Sequence, residues 1–417
     1  MAAAALVLTA LTAAFGGPLR DMAPFLWAAF GAWALADILM SGRRGLALDY
    51  DAPAEVFVGE ACPVSLALPG APEGLEARLD WPPGLEGPSE IAFDGGKADL
   101  EAKAVRRGTW NLGSIWLNWR SRFGLFEFIP RLDLPLEVRT VPNIRMVQSG
   151  EISTTVNSTL YGVKENRAIG EGSEFHQLRD FVQGMDVKTI DWKRSARARS
   201  LVAKELRAER NHHVIIALDN GYLMREEIEG VPKIDHAVTA ALATAWAAAI
   251  GGDLVGYYSY DVRPRTFAAP EPGRAAFARL RSWTAELDYV SRETNHTLAL
   301  TELNARTPKR SLIIIFTDFV DTTSAELLVE NIGILAKRHL LVFVTIRDPK
   351  MEQLVETAPD DLDGVATIVA ANQSLSERRL VHERLARLGV TVIDAKPKAV
   401  TAKLISTYLE IKARELI

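Results

Sequence analysis

The sequence predicts a multidomain chain: an N-terminal transmembrane helical hairpin, a small β-sandwich, and then a doubly wound α/β domain. Three observations lead there. Residues 1–40 hold only three charged residues, Arg20, Asp21 and Asp37, and form two apolar runs. Residues 46–141 alternate apolar and polar side chains with period two, the mark of half-buried strands. Beyond about residue 212, continuous Val/Ile/Leu runs alternate with helical patterns, as in a parallel sheet covered on both faces. A length of 417 residues suits two or three domains. The boundaries fall at 1–42 (hairpin), 43–145 (sandwich), 146–210 (a linking segment) and 211–417 (α/β domain).

Composition narrows the class. Lys and Arg total 48 against 53 Asp and Glu, a net charge of −5, which argues against a dedicated nucleic-acid binder. A hydrophobic fraction of 48% supports folded cores. The single cysteine, Cys62, excludes an intrachain disulfide framework and a multi-cysteine zinc site, and suits a reducing compartment.

In the hairpin, Ala2–Gly17 is the first apolar run and Met22–Met40 the second. The second would span about 28 Å as a helix, close to the hydrocarbon thickness of a bilayer. The first would reach only about 24 Å. Gly16–Asp21 is the polar break between them, and Arg43-Arg44 follow the second run. By the positive-inside tendency these arginines hold that end in the cytoplasm. The expectation is a bacterial inner-membrane protein with a cytoplasmic body and lipid contact through the hairpin. A cleaved signal peptide and a buried helix pair are the alternatives.

In the sandwich, Leu46, Leu48 and Tyr50, then Val56 and Val58, then Cys62, Val64, Leu66 and Leu68 alternate. Turn signals recur at Leu68-Pro69-Gly70, Trp81-Pro82-Pro83-Gly84, Asp94-Gly95-Gly96 and Arg106-Arg107-Gly108. Trp110, Trp116, Trp119, Phe123, Phe126 and Phe128 read as core and strand packing.

In the α/β domain, strands are expected at His213–Leu218, Asp253–Tyr260, Ser311–Thr317, Leu340–Ile346 and Val390–Ile393. Helices are expected at Lys233–Ile250, Arg274–Leu287, Leu298–Arg306, Thr323–Arg338, Ser376–Leu388 and Ala399–Leu416. Ligands of such sheets sit beyond the carboxyl ends of the strands, where Asp219 and Asp318 lie.

The linking segment is polar and dense in motifs. It runs Gly172-Ser173-Glu174-Phe175-His176-Gln177-Leu178-Arg179-Asp180-Phe181, then Gly184-Met185-Asp186, Ile190-Asp191-Trp192 and Ser195-Ala196-Arg197. Residues 188–210 hold eight basic and three acidic side chains, a local charge of +5. One reading is a docking face for an acidic partner or nucleic acid, with Arg194 and Arg199 as contacts. The other is a structural lattice: Arg179 and Arg197 pair with Asp180, Asp186 or Asp191 around a packed Trp192, supported by Ser195.

These motifs resemble the signature of the bacterial "domain of unknown function 58" family: Phe-x-x-Leu-Arg, an aromatic, Gly-Asp-Asp, Ile-Asp-Trp, Ser-Ala-Arg. Met185 departs from the first Asp of Gly-Asp-Asp, and Asp186 fits the second. Arg107-Gly108-Thr109-Trp110-Asn111-Leu112-Gly113 and Phe123-Gly124-Leu125-Phe126 also fit, so the resemblance covers most of the chain. It implies a von Willebrand factor A-like α/β domain and a MoxR-type AAA ATPase as partner.

Domains of that type often carry a metal-ion-dependent adhesion site that opens Asp-x-Ser-x-Ser and takes a Thr and an Asp from later loops. Here the loop is Asp219-Asn220-Gly221-Tyr222-Leu223. Gly221 and Leu223 lack side-chain oxygens, which leaves Asp219, Thr294 and Asp318 as a weak set for Mg²⁺. No cofactor is therefore expected.

No Gly-x-x-x-x-Gly-Lys-Ser/Thr, Gly-x-Ser-x-Gly or His-Glu-x-x-His motif occurs. His382-Glu383 lacks its second His, and Gly170–Ser173 reads as a loop. The expectation is a membrane-anchored, non-enzymatic interaction or scaffold protein, acting with the ATPase in complex assembly or envelope maturation. Asp219, Asp318, Arg194 and Arg199 are the partner-binding candidates. The alternatives are a metal-dependent ligand-binding module and a hydrolase using Asp219 and Asp318.

Overall fold

A computed structural model describes residues 23–42, 46–72, 74–150, 174–207, 211–356 and 361–414, with positions 7, 10 and 152. The chain divides into two compact units, Met1–Val141 and Pro142–Ile417.

The first unit holds one long described helix, α1 (Ala23–Ser41), and ten strands. These are β1 (Asp49–Asp51), β2 (Glu55–Phe57), β3 (Ala61–Ala67), β4 (Glu76–Leu79), β5 (Leu85–Glu86), β6 (Glu90–Ala92), β7 (Lys97–Ala104), β8 (Gly108–Arg120), β9 (Glu127–Phe128) and β10 (Arg131–Val141). They form two sheets, β1-β3-β7-β5 and β2-β10-β8-β4-β6, with β9 pairing β8. Along β3, Cys62, Val64 and Leu66 are buried and their neighbours exposed, so one face enters the core. Leu79, Ile115, Leu117, Leu134 and Val138 meet them there. Trp119 joins this core and stacks on Phe128, whereas Trp116 and Phe123 remain 42% and 49% exposed.

The membrane hairpin requires correction. Among the described residues, no helix is long and apolar enough to cross a membrane, and the N-terminal unit is β-rich. Helix α1 is tied to the strands at its carboxyl end. Asp37 is fully buried and accepts from Ser41 Oγ (3.2 Å) and the Phe123 amide (3.2 Å). Trp33 packs on Phe123, and Trp119 Nε1 donates to the Ser41 carbonyl. The apolar run therefore includes a docking turn whose one acid takes two protein donors on Oδ1. Nearly all of the first run, the Gly16–Asp21 break and Arg43-Arg44 lie outside the described residues.

The second unit begins with the linking signature. Strands β11 (Glu174–Asp180) and β12 (Val202–Arg207) form an antiparallel hairpin that carries a short helix, α2 (Trp192–Ala198), between them. Gly170–Ser173 lies outside the described residues.

The sheet that follows has β13 (His213–Asp219), β16 (Leu254–Tyr260), β17 (Pro264–Pro272), β18 (Leu312–Phe316), β19 (Leu340–Ile346) and β20 (Thr391–Ala395). A minor hairpin, β14 (Glu227–Ile228) and β15 (Val231–Pro232), intervenes. The order is β17-β16-β13-β18-β19-β20, all parallel except β17, which runs antiparallel on β16. The buried apolar runs sit in the central strands because helices shield both faces. The helices are α3 (Lys233–Ile250), α4 (Gly273–Ala285), α5 (His296–Arg306), α6 (Glu326–Ala336), α7 (Pro349–Glu356), α8 (Leu362–Arg387) and α9 (Pro397–Ala413). Helix α3 packs with α4 and α9, and α6 with α5 and α8.

Strand β17 was not expected from the sequence, and α8 begins fourteen residues before the expected Ser376. Strand order reverses between β13 and β18, which makes their carboxyl ends a switch-point crevice.

Candidate functional site

Asp219 ends β13, and Asp318 follows β18, at that switch point. Carboxylates in strand-end loops are ordinarily exposed. Both are instead only 2% exposed, because loops and helix starts close over them. Each is satisfied by its own set of donors. Asp219 Oδ1 accepts from the Gly221 amide (2.8 Å) and Thr294 Oγ1 (2.5 Å), and Oδ2 accepts from Thr317 Oγ1 (2.5 Å). Burial pushes the Asp219 carboxyl up, against the opposing pull of His296 and these hydrogen bonds. Burial likewise lowers His296, with Asp219 opposing.

Asp318 has a different environment. Its Oδ2 takes Lys233 Nζ at 2.7 Å, and its Oδ1 takes Arg378 Nη1 at 2.9 Å and the Phe319 amide at 3.0 Å. Burial alone would raise this carboxyl, but Arg378 and Lys233 outweigh it and hold it below the ordinary value. Lys233 also donates to Glu226 Oε2 at 2.5 Å. Burial would lower the Lys233 ammonium, yet Asp318 and Glu226 raise it.

The network continues through Arg378, whose Nη2 lies 3.4 Å from both the Ile346 carbonyl and Asp394 Oδ1. Arg347 Nε binds Asp394 Oδ2 at 2.9 Å and its Nη1 binds Glu352 at 2.7 Å. A cavity of about 280 Å³ opens at this edge, lined among others by Leu223, Glu226, Lys233, Asp318, Val320 and Arg378.

These residues do not fit a divalent cation of the adhesion-site kind. Both Asp219 oxygens already accept from hydroxyls or an amide, and both Asp318 oxygens face a cation. A Cβ on Gly221 would lie 1.9 Å from Thr294 Oγ1, so a serine there cannot take the ligand position without displacing Thr294. Among the described residues, no group of three His, Cys, Asp or Glu side chains could hold a metal ion.

The linking signature also departs from expectation. Trp192, read as packed, is 65% exposed. It opens α2, which is too short to bury its own first turn. Asp186 accepts from the Lys188 amide and Asp191 from the Arg194 amide, so both cap helical turns. The ion pair of Asp191 is with Lys204, at 3.5 Å. Ser195 is buried and accepts from the Val202 amide at 2.9 Å, which fastens α2 to β12. Arg194, Arg197 and Arg199 are exposed, and Arg179 stands on β11. The structure thus brings Asp219 together with Thr294, and separately gathers Arg179, Arg194 and Arg197 around one concavity.

Sequence reasoning missed Lys233, Arg378, Thr317 and Glu226. One signal was present for Lys233. It is the first residue of α3, at the positive end of the helix dipole, where a lysine is unfavourable unless carboxylates hold it.

Residues 177–380 match the family model described as "Protein of unknown function DUF58". No curated protein matches the chain. Among solved structures, the conserved hypothetical protein BatB from Bacteroides thetaiotaomicron is similar at 16% identity and TM-score 0.35, over 49% of this chain and 100% of that one. Proximal thread matrix protein 1 from the mussel byssus, with a zinc-occupied MIDAS motif, is similar at 10% identity and TM-score 0.26, over 49% and 46%. An uncharacterized membrane spanning protein from Vibrio fischeri is similar at 11% identity and TM-score 0.18, over 48% and 98%.

Proposed function

For a chain whose residues 177–380 match the DUF58 family model, we propose a non-enzymatic interaction protein that presents the carboxyl edge of its α/β sheet to a partner protein. One observation carries this reading. The loops after three adjacent strands each expose a large apolar side chain: Val262 after β16 (37%), Tyr222 after β13 (40%) and Val320 after β18 (52%). Apolar groups ringed by charged residues at a rigid sheet edge suit a protein contact.

The buried carboxylates beneath them are held by internal donors, which favours a structural role over acid–base chemistry. A hydrolase would need a nucleophile or an activated water beside Asp219 and Asp318, and their oxygens already face Thr, Lys and Arg groups. The partner that the family resemblance implies is a MoxR-type AAA ATPase, and the process is protein-complex assembly or envelope maturation.

The test is a binding titration of the purified chain with such an ATPase, with and without a slowly hydrolysed ATP analogue. Nucleotide-dependent binding that Val320→Glu and Tyr222→Glu weaken supports the proposal. Binding indifferent to both changes, or turnover of a small ester or phosphoester by the purified chain, overturns it.

A further inference from the structure

The signature hairpin carries a second surface that the edge network does not use. Helix α2 is clamped to β12 by Ser195, and Arg199, with φ of 56°, turns the chain back into the strand. Between helix and hairpin lies a concavity of about 640 Å³, lined by Leu178, Arg179 and Asp180 from β11, Arg194 and Arg197 from α2, and Val202 from β12. Among the described residues that line it, Arg179, Arg194 and Arg197 are the cations and Asp180 is the carboxylate. Asp191, the acid nearest in sequence, is paired with Lys204 and caps α2, so it does not neutralise Arg194 or Arg197. Trp192 stands 65% exposed on the same short helix.

We infer that this concavity binds an acidic peptide segment of a partner protein, with Arg194 and Arg197 taking its carboxylates. Planar guanidiniums match carboxylates with paired hydrogen bonds, and Trp and Arg are the side chains that most often dominate protein contacts. The charge distribution selects a peptide over a nucleic acid. The whole chain sums to −5 and residues 188–210 to +5, so the remainder carries −10. The negative balance of the whole chain disfavours a long phosphate polymer, whereas a short acidic segment engages the basic patch alone.

The experiment is fluorescence anisotropy with the full chain and a labelled peptide of alternating glutamate and leucine. A lysine–leucine peptide, a single-stranded oligonucleotide and phosphatidylglycerol-containing vesicles serve as comparison probes. The expected result is saturable, salt-sensitive binding of the acidic peptide above the other probes. Arg194→Glu with Arg197→Glu should weaken it at least about tenfold, with melting temperatures unchanged. If the reversed-charge pair melts early, Arg194→Lys with Arg197→Lys decides the question. It keeps the charge but loses the paired geometry, and should weaken binding severalfold. Absence of peptide binding, binding unmoved by these changes, or tighter binding to the oligonucleotide or vesicles would overturn the inference.

Discussion

Lys233 Nζ lies 2.7 Å from Asp318 Oδ2, and both residues are buried at the switch point of the sheet. Asp318 comes from the end of a strand and Lys233 from the first residue of a helix 85 positions away. Lys233 supplies from within the chain a positive charge against this buried carboxylate. Arg378 completes the neutralisation from α8.

Lys233→Met should therefore be strongly destabilising. It leaves Asp318 buried with Arg378 alone and removes the partner of Glu226. Breaking one side of a buried pair costs about 3–5 kcal/mol, and the remaining Arg378 places this case near the low end. Chemical denaturation of the parent and variant would measure it. Lys233→Met combined with Asp318→Asn should recover part of the loss, because the uncompensated charge is gone.

Magnesium should not raise the melting temperature of the parent. A ligand that binds only the native state must stabilise it once its concentration exceeds the dissociation constant. Gly221→Ser should not create a magnesium response either, and should lower stability, since its Cβ would meet Thr294 Oγ1 at 1.9 Å. A magnesium-dependent shift that disappears in Asp219→Ala would restore the metal-dependent module.

Acid sensitivity should be traceable to His382. Burial lowers its pKa from 6.5 to about 4, with Asp394 opposing. The unfolded chain then binds a proton more readily than the native one between those values. The contribution of this group to stability is present above pH 6.5 and is lost as pH falls toward about 4. Replacing His382 with Gln should flatten the stability–pH curve in that window, and an unchanged slope would contradict the assignment.

Trp192→Ala should leave stability nearly untouched, within about 0.5 kcal/mol, as for other exposed positions. A loss of several kcal/mol would return Trp192 to the packed role that its sequence context suggested.

Local pattern was legible where the physics is local. Period-two alternation marks strands such as β3 because one face meets the core and the other water. The alternating apolar runs and helical periods locate β13, β19 and α3 nearly residue for residue. Hydropathy misled at α1, since an apolar window carries no record of Asp37 meeting the Phe123 amide 86 positions later. The same window cannot distinguish a helix bounded by lipid from one fastened to protein.

What the sequence determined by itself was the β-rich then α/β succession, the placement of Asp219 and Asp318 at strand ends, and the absence of hydroxyl ligands at Gly221 and Leu223. Only the tertiary structure decided what those carboxylates face. Lys233, Thr317 and Arg378 are scattered along the chain, and only Lys233, at a helix start, stands out in its own segment. They converge because a parallel sheet sets its carboxyl ends side by side, and a buried charge is tolerated only where that convergence neutralises it. The exposure of Trp192 was likewise a tertiary outcome, because among the described residues no second layer covers the first turn of a seven-residue helix clamped through Ser195.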